Sequence, residues 1–168
     1  MTKNSEVLCA GIIVADHVCT PIHHLPAAGE LVMADRLLLT IGGCAANVAV
    51  DLAKMEVAAG VVGRVGGDVF GGVVLDMLRA ACVDTASVQV SPSAVTSQTL
   101  IVNVVGQDRR FIHTFGANGE FRAPDIPLDR AKQCRVLYLA VISSCPRSHR
   151  KNWSRCSRRR GKPERGQC

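Results

Sequence analysis

Two hydrophobic patterns alternate along the first 142 residues. Runs that are apolar at nearly every position, 7–15, 57–62 and 136–142, predict strands buried on both faces of a parallel sheet, since a strand with one wet face would alternate apolar and polar residues. Between them lie stripes at helical spacing. Ala45, Val48, Ala49, Leu52 and Met55 mark the core face of a helix running to about Glu56. Phe70, Val73, Val74, Met77, Leu78 and Ala81 mark another, with Asp68 placed to cap its first turn. Strand and helix in this alternation predict an α/β fold built on a parallel sheet.

Two stretches break the alternation. Between Thr20 and Thr40, Pro21, Pro26 and Gly29 punctuate the chain, and Leu31, Val32 and Met33, then Leu37, Leu38 and Leu39, predict two small strands too short for a crossover. Residues 96–105 and 110–115, joined by Gly106, Gln107 and Asp108, predict a hairpin that pairs with them. Together these form a flap outside the main sheet, spanning about 17–40 and 96–115. A further strand is expected at 87–90. Gly60, Gly63, Gly66 and Gly67 are expected to crowd the turn after 57–62, and Pro124 and Pro127 to bracket a linker.

The net charge of +6 changes the picture only at one end. Residues 1–140 carry 11 Lys and Arg against 13 Asp and Glu, whereas 141–168 carry nine against one and include Arg158, Arg159 and Arg160. Residues 143–168 lack the apolar content to build a core and are expected to be disordered. They are either a basic nucleic-acid-binding tail or sequence read out of frame; the abrupt change after an apolar strand, where a helix should follow, favours the second. Aromatic residues are only 4% of the chain, which argues against a base-stacking surface. Eight cysteines, scattered and without Cys-x-x-Cys spacing, read as reduced packing residues of a cytoplasmic protein and give no metal site. No apolar run approaches the roughly 20 residues of a membrane span. A nicotinamide fingerprint is excluded because Gly11 stands alone after the first strand.

The chemistry collects around Gly42 and Gly43. A glycine pair opening a helix lets a ligand approach backbone N–H groups closely. Asn47, off the apolar stripe, leans back over the pair because Cα–Cβ bonds tilt toward a helix's start, and its amide both donates and accepts. Asp16 is expected where the first strand ends, the position at which ligands collect in open α/β sheets, and a carboxylate there accepts hydrogen bonds from two sugar hydroxyls. Asp16 as a turn cap, and Gly42 and Gly43 as a plain turn, are the competing readings. His23 and His24 have no third ligand nearby and read as loop surface.

In order and spacing, these residues resemble the amino-terminal half of the ribokinase-like (PfkB) carbohydrate kinases. The likeness covers about residues 5–142. It rests on the segment from Gly11 to Asp16, on Gly42 and Gly43 followed by Asn47, on Gly63, Arg64, Val65, Gly66, Asp68 and Gly71, and on Gly116, Ala117 and Asn118 after the hairpin. The resemblance implies a Rossmann-like parallel sheet with helices on both faces, incomplete here, plus a small β-strand lid able to pair two copies. It implies transfer of the γ-phosphoryl group of ATP, with Mg²⁺, to a hydroxyl of a sugar or nucleoside. It assigns sugar contacts to Asp16, Gly42, Gly43 and Asn47, and places Thr99 and Ile101 under the lid. Two departures qualify it. Cys44 stands where some sugar-specific members have lysine, so the sugar is not specified. The family's Gly-Ala-Gly-Asp motif, which carries the catalytic base, is absent from the chain, as is the nucleotide site that the family builds from its carboxyl-terminal half. The chain therefore reads as truncated and inactive alone. A non-catalytic sugar-binding or interaction module and a basic-tailed nucleic-acid binder are the alternatives.

Overall fold

A computed structural model describes residues 5–140. The Arg-rich segment from residue 143, and the end of the last expected strand at 141–142, lie outside the described residues. Four parallel strands make the central sheet: β1 (Val7–Ala10), β4 (Ala59–Gly66), β5 (Asp84–Ser91) and β8 (Val136–Leu139), in the order β5-β4-β1-β8. Four more make the lid sheet: β2 (Val14–Ile22), β3 (Leu37–Gly42), β6 (Gln98–Val104) and β7 (Arg110–Thr114), in the order β3-β2-β6-β7. There β2 runs antiparallel to β3 and parallel to β6, and β6 and β7 form the hairpin.

The apolar run in β1 is explained by what covers each face. Cys9 packs under α1 (Cys44–Lys54) and α2 (Val69–Ala80), against Ala45, Ala49, Val74 and Leu78. Leu8 and Ala10 face the other side, where Phe121, Ile126 and the short helix α3 (Leu128–Gln133) close over them. Helices thus flank both faces. Burial pushes the Cys9 thiol up to about 11, so it packs as an inert protonated group. The five described cysteines are free. Among the described residues no helix is long and apolar enough to cross a membrane.

Several boundaries differ from expectation, each for a physical reason. Residues 7–15 are two strands, not one, because the chain leaves the central sheet after Ala10 and enters the lid at Val14. Asp16 therefore lies inside β2 rather than at a strand end. Leu31, Val32 and Met33 form no strand; they pair with no strand of the lid, Val32 packs against Cys19, Ile22 and Val104, and Leu31 and Met33 are 79% and 81% exposed. Gly60, Gly63 and Gly66 lie within β4, which passes so close to its neighbour that a Cβ on Gly63 would come 2.6 Å from the Gly11 carbonyl oxygen. Met55 falls past the end of α1, which turns through Glu56 at φ 62°, and Ala46 takes a buried place.

Asp68 caps α2 as expected and does more. Its Oδ1 accepts from the Gly71 amide at 2.9 Å and the Thr96 hydroxyl at 2.7 Å, and its Oδ2 accepts from the Thr96 amide at 2.7 Å, tying the helix to the start of the lid hairpin. Burial opposes its ionisation, but these donors outweigh it and hold the carboxyl below the usual range. Arg64 similarly holds Asp125 through two bonds of 3.0 and 2.8 Å, docking the segment that covers the lower face. Burial of Asp125 is outweighed by Arg64 and by the Arg122 amide, and burial of Asp84 by Arg130 and the Ala86 amide, so both carboxyls are also depressed.

A carboxyl depressed by folding stabilises the fold fully above its unfolded value, about 3.9 for Asp, and loses that contribution as pH falls through the lower folded value. Urea stability is expected to be level from about pH 5 to 7 and to fall steeply below about pH 4. Asp68→Ala is expected to cost about 1–3 kcal/mol at pH 7 and to make the acid loss shallower. Urea titrations of both proteins across this range check the point, and parallel pH profiles would contradict it.

Candidate functional site

The site is built where the chain passes from one sheet to the other. Ile13, at that crossing, has no strand partner for its polar groups, and the buried Asn118 takes both. Its Oδ1 accepts from the Ile13 amide at 3.2 Å, and its Nδ2 donates to the Ile13 carbonyl at 2.9 Å. This clamp fixes the start of β2 and so the placement of Asp16, three residues on.

Gly43 caps α1 at φ 95°, a conformation that disfavours side chains, and a Cβ there would collide with the Ile12 carbonyl. At Gly42 a Cβ would run into the Asp16 carboxylate, so Asp16 lies directly over the Gly42 backbone. Register aligns Thr40, Asp16, Thr99 and His113 in one row across all four lid strands, and paired residues project from the same face. The next row along that face is Leu38, Val18, Ile101 and Phe111. The Asp16 carboxylate is half-buried and accepts no hydrogen bond among the described residues. Thr99 is buried, and its hydroxyl lies 3.0 Å from His113 Nδ1.

Of the expected residues, Asp16, Gly42, Gly43 and Thr99 come together, and Ile101 lies one row away. Asn47 stands apart from them in its contacts. It is exposed on the first turn of α1, and its amide makes no hydrogen bond among the described residues. With Ile41, Val50, Asp51, Lys54 and Met77 it lines a groove of about 370 Å³ between α1 and α2. Sequence reasoning missed His113 and assigned Asn118 no structural task. The hairpin register would have located the first: counting outward from Gly106, His113 falls opposite Thr99. Nothing local signals the second, because Asn118 and Ile13 are 105 residues apart. No group of three His, Cys, Asp or Glu side chains among the described residues could hold a metal ion.

Residues 4–163 match the family model described as pfkB family carbohydrate kinase. A nucleoside kinase of Methanothermobacter thermautotrophicus is 23% identical over 84% of this chain and 45% of its own length. A probable fructokinase of Arabidopsis thaliana is 29% identical over 84% of this chain and 41% of its own. Among solved structures, a fructokinase of Xylella fastidiosa with bound ATP superposes with a TM-score of 0.65 at 25% identity, covering 80% of this chain and 42% of that one. A ribokinase of Thermotoga maritima gives 0.66 at 23% identity, covering 78% and 43%. The chain spans less than half the length of each of these proteins.

Asn118→Ala leaves the Ile13 amide and carbonyl buried without partners, and is expected to cost about 2–4 kcal/mol. Chemical denaturation measures this, and a cost below about 1 kcal/mol would show that the clamp does not hold the crossing.

Proposed function

We propose, for a chain that belongs to the pfkB family of carbohydrate kinases, that the Asp16 site holds the acceptor sugar or nucleoside of an ATP-dependent phosphotransferase. The observation that carries this reading is the half-buried Asp16 carboxylate lying over Gly42 with no hydrogen bond among the described residues. An ionised carboxylate only accepts, so it needs donors, and neighbouring ligand hydroxyls supply two at the spacing of its oxygens. Gly42 leaves room for the Asp16 carboxylate itself, Thr99 adds a hydroxyl beside Asp16, and Ile101 offers an apolar surface next to it. Asn47 contributes its free amide once a ligand bridges the glycine pair.

ATP as donor is supported by the bound ATP of the Xylella fastidiosa fructokinase and the bound ADP of a Cryptococcus neoformans ribokinase with a TM-score of 0.64. The described residues do not by themselves fit ATP or Mg²⁺: no metal-ligand group comes together among them, and the sequence lacks Gly-Ala-Gly-Asp. This chain therefore supplies the acceptor side, and we place it in the cytoplasm, where ATP is available. Exposed apolar residues of the lid, Leu37, Phe111 and Ile112 among them, favour pairing with a second copy through the lid strands.

Calorimetric titration with ribose, fructose and adenosine is expected to detect weak binding of at least one. Hydrogen bonds to a charged group contribute about 1.5–3 kcal/mol each, so Asp16→Ala is expected to lower affinity by at least about tenfold. Gly42→Ala is expected to do the same by displacing the carboxylate. Wild-type affinity in both variants would remove Asp16 from the site. The 168-residue chain alone is expected to form no ADP in response to these ligands. Ligand-dependent ADP above a mock-purified control would show that it carries a base and nucleotide site of its own.

A further inference from the structure

We infer that His113 is a positioning residue of this acceptor site, setting through Thr99 which hydrogen-bonding groups the lid presents beside Asp16. The inference rests on the acceptor-site reading above. His113 and Thr99 face each other across β6 and β7, and Thr99 and Asp16 across β6 and β2, so the three stand in one row with Thr99 in the middle. A threonine hydroxyl carries one donor and two acceptor positions, and it rotates unless something fixes it. Here the fixing partner is His113 Nδ1, at 3.0 Å. The imidazole is itself held, its ring edge-on to Phe115 with centroids 5.0 Å apart.

The consequence is chemical. When Nδ1 is bare, Thr99 gives its hydrogen to the ring and keeps two lone pairs, so Thr99 and Asp16, whose carboxylate has no donor among the described residues, present acceptors only. Such a row selects ligands that bring adjacent O–H donors. When Nδ1 carries the hydrogen, Thr99 accepts it, and the freed hydroxyl hydrogen turns Thr99 into a donor toward the ligand. β6 contributes no charged side chain to this row; Asp16 on β2 is the charged group, and Arg109, in the turn before β7, lies over the Phe111 ring. His113 thus acts on the ligand through Thr99 rather than by contact.

The test uses the full chain and three substitutions. His113→Phe keeps a ring against Phe115 but removes the bond, His113→Asn restores a polar group close to the Nδ1 position, and Thr99→Val removes the hydroxyl. With histidine labelled in both ring nitrogens, the Nδ1 resonance of His113 is expected to move in Thr99→Val and again when the best-bound of ribose, fructose and adenosine is added. Affinity for that ligand is expected to fall about tenfold in His113→Phe, the loss of about one hydrogen bond, and to recover most of the way in His113→Asn at an unchanged unfolding midpoint. An Nδ1 resonance indifferent to Thr99→Val, wild-type affinity in His113→Phe, or no recovery in His113→Asn would each overturn the assignment. Loss of binding in Asp16→Ala beside full binding in His113→Phe would sink the role of His113 alone. No binding of any of the three ligands to wild type, or full binding in Asp16→Ala, would sink the acceptor site and this inference with it.

Discussion

Ile13 sits between two sheets and belongs to neither, and the architecture depends on how its polar groups are satisfied there. A buried backbone amide and carbonyl without partners would each cost on the order of 1–3 kcal/mol, enough to keep the crossing from forming. Asn118 supplies both partners from one side chain. This lets a single chain run as the central strand β1 of one sheet and, after a three-residue gap, as the central strand β2 of the other. The site follows from that gap. It brings β2 into register with β3, and the register sets Asp16 over the only backbone position in the row beside it that has no side chain in the way, Gly42.

The lid is held less firmly than the body it covers. In the central sheet both faces are packed, by α1 and α2 on one side and by Phe121, Ile126 and α3 on the other. In the lid, one face meets α2 near its base, where the His17 ring stands edge-on to Phe70 at 5.1 Å and bonds Gln98 at 2.9 Å. Further out, Leu37 and Ile112 are exposed, and β7 is exposed along its length. A small apolar cluster of Cys19, Ile22 and Val104, the strand ladder and the Asp68–Thr96 tie at its base hold the lid together. A sheet packed on fewer buried contacts opens at lower free energy than the core, as the proposed acceptor site requires of its cover.

What could be read in the sequence follows the distance over which each signal acts. The two helices, the Asp68 cap, the hairpin and the buried strands were legible because periodicity, capping and turn chemistry are local. The break between β1 and β2 was not, because apolar residues continue across it and its cause lies at Asn118. Leu31, Val32 and Met33 were misread for the complementary reason: three apolar residues suggest a strand, but a strand needs a partner, and partners are not local. Within the candidate site, Asp16 is singled out by its expected place at a strand end and Gly42 by the glycine pair; Asp16 lies inside β2 instead, and the structure brings it into contact with Gly42. The Arg64–Asp125 pair and the Thr99–His113 pair were invisible until the strands had registers.

The central claim is that the Asp16 carboxylate, seated over Gly42 and beside Thr99 in the lid, receives ligand hydroxyls. The most direct measurement is a crystal structure of the chain with a bound ribose, fructose or adenosine. The account predicts two ligand oxygens within hydrogen-bond distance, about 2.5–3.0 Å, of the two Asp16 carboxylate oxygens. A ligand seated instead in the groove between α1 and α2, with Asp16 bound only to water, would contradict it.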